Sequence, residues 1–225
     1  MAKLEHYTLN ERVYRRIRES VLMGAFMPNS RLDEQSLADE MGVSRTPIRE
    51  AIGKLTKEGL VEHRPYQGNF IRSFNATQVN DLYEVRKALE ALAVRLAVPH
   101  LTDMQVEEFG ALLDAGQHAL DTGDLIAYGT ADRQFHGAIA RYSGNETLIE
   151  SLDRLSLQIQ IVRTAANHDP AVVRETAHQR TEIVAALRAR DAEAAAWLLE
   201  EHIDAVRRKV VAHIEADGAN IEGDA

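Results

Sequence analysis

The chain has 225 residues, no cysteine and a formal net charge of −9. That length suits two domains with separate cores, and the lack of cysteine excludes disulfides and thiolate metal sites. The N-terminal MAKLEHYTLNERVYRR has no apolar signal run, and no stretch nears the roughly 18–20 apolar residues of a membrane span; the expectation is a soluble, cytoplasmic protein with no membrane partner.

A first helix is predicted from about Leu9 to Gly24. The stretch from Arg31 to Leu60 then reads as two short helices joined by a tight turn. Leu37, Met41, Val43, Ile48, Ile52 and Leu55 recur at a spacing that buries one face of each segment. Gly42 breaks the first, Ser44 is a good N-cap for the second, and Pro47 falls in the first turn, where its missing N–H does little harm. Arg45, Thr46 and Arg49 therefore start a helix whose opposite side is apolar, as the reading helix of a helix-turn-helix requires. Two isolated arginines are more often solvated charges on an ordinary helix hairpin. After Gly59, however, LVEHRPYQGNFIRSF alternates around a Pro-Tyr-Gln-Gly turn, and Gly68 allows a tight hairpin. Three helices followed by a two-stranded wing is the order of a winged helix-turn-helix. Charge divides accordingly: residues 1–74 hold 12 Lys and Arg against 10 Asp and Glu, and the remainder 14 against 25.

Beyond Phe74 the periodicity is almost wholly helical. Asn75 or Thr77, Thr102 and Asp124 are caps for the first three of six amphipathic helices with short connections, an all-α bundle. The expected organisation is a DNA-binding domain over 1–74, a helical effector-binding and dimerisation domain over 75–216, and a disordered tail over 217–225.

Within the bundle, Asp132 and His136 stand four apart and share a helical face, bracketed by Ala131, Phe135 and Ile139. His178 and His202 lie among apolar positions of two later helices. Three imidazoles and a carboxylate from three helices could hold a divalent ion, with Zn²⁺, Ni²⁺, Fe²⁺ and Mn²⁺ all compatible. The alternative is a set of hydrogen-bonded core histidines, because spacing does not show that the helices converge.

The run VSRTPIREAIGKLTKEGLVEHRPYQGNFI resembles the DNA-binding domain of the GntR family of bacterial transcription regulators. The resemblance implies that Ser44, Arg45, Thr46 and Arg49 face DNA and that Gly68 sits at the wing tip. Gln67 stands where many members carry a basic residue. The C-terminal pieces DLYEVRKALE, DRQFHGAIARYSGNETL, HQRTEIVAALRARDAEAA and EEHIDAV resemble the FCD ligand-binding domain of the FadR branch. That resemblance implies a divalent metal on Asp132, His136, His178 and His202, with Ala177 where a Glu often stands. It also places Arg86 near an effector cavity, where a guanidinium would fork onto a carboxylate ligand, and Arg163 is a second candidate lining residue. A salt bridge from Arg86 to Glu90, four residues on, is the competing reading.

The expected function is a homodimeric regulator, a repressor by family habit. It would bind a palindromic operator and respond to a small organic acid in a metal-containing helical domain. Two alternatives stand beside it. A metal-dependent hydrolase would lack a clear general base beside the cluster, and a structural DNA-binding protein would have merely packed histidines.

Overall fold

The computed structural model describes residues 7–166 and 170–222, with side-chain surroundings for 7–163 and 178–216. The chain divides into two compact units, Met1–Ser73 with Leu157–Ala165, and Phe74–Ser156 with Ala166–Ala225.

The first unit begins with α1 (Leu9–Leu22), capped by Thr8, whose side chain accepts from the Glu11 N–H. Val13, Ile17 and Val21 recur every four residues and form its buried stripe. After β1 (Arg31–Leu32), α2 (Glu34–Met41) starts at Asp33, which accepts from the Ser36 N–H at 2.8 Å. It ends at Gly42, whose φ of 65° is the left-handed cap that a side chain would strain. Helix α3 (Arg45–Lys57) buries Ile48, Ala51, Ile52 and Leu55 against the rest of the unit. Ser44 occupies its N-cap position as expected but makes no side-chain capping bond.

The wing consists of β2 (Val61–Arg64) and β3 (Gly68–Ile71), paired antiparallel with Val61 opposite Ile71 and Arg64 opposite Gly68. The two-stranded wing predicted from sequence gains a third strand, since β1 pairs with β3 to give the order β1-β3-β2. Two residues are too few for an alternation signal, so β1 is decided by its partner and not by its own sequence.

In the second unit α4 (Ala76–Ala97) and α5 (Asp103–Asp121) both open on complete capping boxes, Asn75 with Gln78 and Thr102 with Gln105. Asp124 caps α6 (Leu125–Tyr142). Then come α7 (Glu146–Ala166), α8 (Pro170–Arg188) and α9 (Ala192–Glu222). Among these, α4 packs on α9 and α6, α5 on α6 and α8, and α8 on α9. Tyr83, Phe109, Phe135, Ile139, Ile183 and Leu187 are fully buried between them. The boundary expected at 216 moves: α9 continues to Glu222. Extending an existing helix adds one hydrogen bond per residue and needs no new nucleus, so its end does not require apolar periodicity.

Candidate DNA-reading helix and candidate metal cluster

In the first unit Ser44, Arg45, Thr46 and Arg49 are all exposed at the start of α3. Glu34, at the first position of α2, accepts from both arginines, from Arg45 Nη2 at 2.9 Å and from Arg49 Nε at 2.7 Å. Burial opposes ionisation of Glu34, but the hydrogen bonds from Arg49 and Arg45 outweigh it and hold the carboxyl below its ordinary range. One carboxylate thus aims two guanidiniums along the helix N-terminus, where backbone N–H groups also favour an anion. Gly68 has a φ of 110° and opens β3, and a Cβ there would come within 3.3 Å of Arg31 Nε. The turn itself is carried by Tyr66, fully exposed with a φ of 63°.

In the second unit, Asp132 and His136 of α6 meet His202 of α9. One ligand atom from each lies within 4.8 Å of the others, and all three residues are buried. His136 and His202 stack with ring centroids 5.7 Å apart. His136 Nδ1 is 2.5 Å from Glu90 Oε2, and Glu90 Oε1 accepts from Arg86 Nε at 2.6 Å. Burial alone would raise the Glu90 carboxyl, but the Arg86 guanidinium and the His136 ring bring it down to about 2. An ionised carboxylate only accepts, so His136 carries its proton on Nδ1 and turns Nε2 toward the cluster. His202 Nδ1 donates to Gln179 Oε1 at 3.2 Å. Burial, then the neighbouring His136, holds the His202 imidazole well below its ordinary range, in the form that can ligate.

The donor set fits a metal ion. Two imidazoles are each oriented through Nδ1 by an oxygen acceptor, the usual support for a metal-ligating histidine, and a carboxylate sits beside them. One neighbour is unexpected. Arg180 of α8 donates from Nη1 to Asp132 Oδ1 at 2.9 Å and from Nη2 to the Tyr128 hydroxyl at 2.8 Å.

Arg180 accounts for the one predicted ligand that does not arrive. His178 is exposed, outside the set of Asp132, His136 and His202. The two residues are separated by about 200° around a helix, so only one can face the core. Among the described residues of α8, Arg180, Ile183, Val184, Ala186 and Leu187 are buried, and Arg180, Ile183, Val184 and Leu187 form a stripe at i, i+3, i+4 and i+7. Stepping back from Ile183 and Leu187 in the sequence reaches Arg180 and passes over His178, a signal that motif matching missed. Arg86 is buried in the salt bridge to Glu90 that was its alternative reading, and through Glu90 it supports His136. Arg163 is half-buried in the α7 segment grouped with the first unit, and the cluster of the second unit is built without it. His178 instead lines a cleft of about 300 Å³ between α5 and α8, with Leu113, Asp114, Gln117, Arg180 and Arg188.

Residues 9–71 match the model of the bacterial regulatory proteins of the gntR family, and residues 81–205 match the FCD domain. The chain belongs to the GntR family of transcription regulators, in its FCD-containing branch. The HTH-type transcriptional regulator McbR of Escherichia coli is 30% identical over 203 residues, 88% of this chain and 91% of that protein. Its solved structure aligns with a TM-score of 0.78 over 88% of this chain and 94% of that one, at 28% identity. A GntR regulator from Rhodococcus sp. RHA1 aligns with a TM-score of 0.81 at 26% identity, covering 90% and 97% of the two chains. The E. coli transcriptional repressor RspR is 24% identical over 202 residues, 90% of this chain and 89% of that protein. These relatives are transcription regulators and not enzymes, and this GntR-family regulator carries both a gntR and an FCD domain. Among its described residues no helix is long and apolar enough to cross a membrane.

Proposed function

We propose that this regulator is a repressor that binds a palindromic operator as a homodimer and is controlled by a small carboxylate ligand held in a metal-containing helical unit. The observation that carries the ligand half is the buried cluster of Asp132, His136 and His202, backed by two guanidiniums in the same unit. Imidazole nitrogen and carboxylate oxygen suit Zn²⁺, Ni²⁺, Fe²⁺ or Mn²⁺. A metal there would supply a Lewis-acidic anchor for a ligand's carboxylate. The protein's own part is to hold Nε2 of each ring in place through Glu90 and Gln179. The DNA half is supported by the exposed Ser44, Arg45, Thr46 and Arg49 on α3, with the wing beyond Gly68 beside them in sequence.

A two-fold operator matches a two-fold protein, with one reading helix per half-site. Ligand binding changes DNA affinity only to the extent that the ligand binds the DNA-competent and incompetent forms unequally. The decisive experiment is operator selection from a random DNA pool with the full chain, followed by anisotropy titration at several salt concentrations and light scattering of the complex. An inverted repeat bound by two chains is the expected result. A single asymmetric half-site bound by one chain would overturn the dimeric reading.

A further inference from the structure

Of the two guanidiniums behind the cluster, Arg180 is the one that bonds Asp132 itself. It is 3% exposed, and its Nε is buried with no hydrogen-bond partner although both terminal nitrogens are engaged. A buried charged donor left unsatisfied is costly, and native structures keep few of them. Arg180 also lines the cleft between α5 and α8, together with Arg188, His178 and Asp114. Its anchor matters as much. Asp132 Oδ1, which accepts from Arg180, is the oxygen 3.9 Å from His136 Nε2, on the side where a metal would sit.

Among the described residues, and leaving the histidines aside, the buried charges are Arg86 and Arg180 against Glu90 and Asp132. A divalent ion placed on Asp132 adds two positive charges next to a guanidinium in a site with little solvent, and the repulsion opposes it. A ligand bringing two negative charges restores the balance and supplies a new partner for Arg180.

Resting on the reading of this cluster as a metal and carboxylate site, we propose that Arg180 guards Asp132. It holds that carboxylate until a dicarboxylate in the α5–α8 cleft takes over the guanidinium, so metal and dicarboxylate bind with positive coupling.

The test is Zn²⁺ affinity of the full chain, measured by competition with a chromophoric chelator, for the parent, Arg180→Gln, Arg180→Lys and Asp132→Asn. Removing the guard's charge in Arg180→Gln tightens Zn²⁺ binding by about tenfold or more, within the ordinary range of coupling between sites, while Arg180→Lys stays near the parent. Succinate added to the parent, which requires no substitution, also tightens Zn²⁺, although its weak chelation in solution works the other way. It does not tighten Arg180→Gln. Equal affinity of parent and Arg180→Gln, with Asp132→Asn losing the ion, would leave the metal site standing and remove the guard. Tightening by Arg180→Lys as well would show that packing and not charge is at work, against the proposal. Succinate shifting both chains alike would overturn the exchange. Absence of Zn²⁺ from all of them would remove the metal reading itself and this inference with it.

Discussion

Glu34 and Asp132 do the same chemistry in opposite surroundings. Each carboxylate receives a guanidinium at 2.7–2.9 Å, Glu34 from Arg45 and Arg49 at the surface of the first unit, Asp132 from Arg180 in the interior of the second. The arginine side chains are 50% and 60% exposed in the first case and 3% in the second. An exposed pair contributes about 0–1 kcal/mol and is readily given up when a phosphate or a base edge competes. A buried pair contributes little net stability while intact, yet removing one partner leaves a charge with no water to solvate it. The surface pair therefore suits the DNA contact proposed for Arg45 and Arg49, which requires them to let go of Glu34. The interior pair can release only in exchange, charge for charge.

Four sets of measurements would break or sharpen this contrast. The largest effect is expected from Asp132→Ala, which strands the Arg180 guanidinium and should lower unfolding free energy by about 3–5 kcal/mol. Urea denaturation reads it, and a loss under about 1 kcal/mol would mean that the interior pair behaves like a surface one.

Next comes pH. Glu90 is held at about 2 instead of 4.5, so its ionised form stabilises the fold at neutral pH. That contribution, on the order of 3 kcal/mol, is fully present above the ordinary carboxylate range and is lost as pH falls from about 4.5 toward 2. Urea midpoints across that window should fall steeply for the parent and less steeply for Glu90→Gln. Parallel curves would dissociate Glu90 from the acid response.

Third, Arg45→Ala and Arg49→Ala should each weaken operator binding by about 1–3 kcal/mol if they reach base edges, with Zn²⁺ content unchanged. Anisotropy titration of the selected operator measures this, and unaltered affinity in both variants would remove α3 from the interface.

The smallest effect on the fold belongs to Glu34→Ala, whose stability should change by no more than about 1 kcal/mol. Because it frees two guanidiniums, binding to unrelated duplex DNA should strengthen, with a steeper dependence on salt. A large drop in thermal stability would show that Glu34 holds the helix pair together.

How far the residues alone carried these conclusions depends on distance along the chain. Thr102, Asp124, Gly42 and Gly59 act on their own turns, and the structure has caps and helix ends there. Pro47 lies in the first turn of α3, harmless to its hydrogen bonding. Asp132 and His136 share a face because four residues are close to one helical turn. His178 shows where such reading fails. A family motif counted in residues tolerates a slip of two, but a helix does not, since two residues turn a side chain to the opposite face. The apolar positions of α8 itself, Ile183 and Leu187, point to Arg180. Strand β1 failed for the opposite reason, being too short to carry any pattern.

The amino-acid sequence by itself determined the helices, their caps, the winged order of the first unit and the pairing of Asp132 with His136, because each follows from interactions within a turn or two of the backbone. Only the tertiary structure decided that His202 joins them, that Glu90 and Gln179 orient the rings, and that Arg180 faces Asp132. Those contacts join helices distant in the chain, and which side chain meets which is set by how α4, α6, α8 and α9 rotate to bury their apolar stripes together.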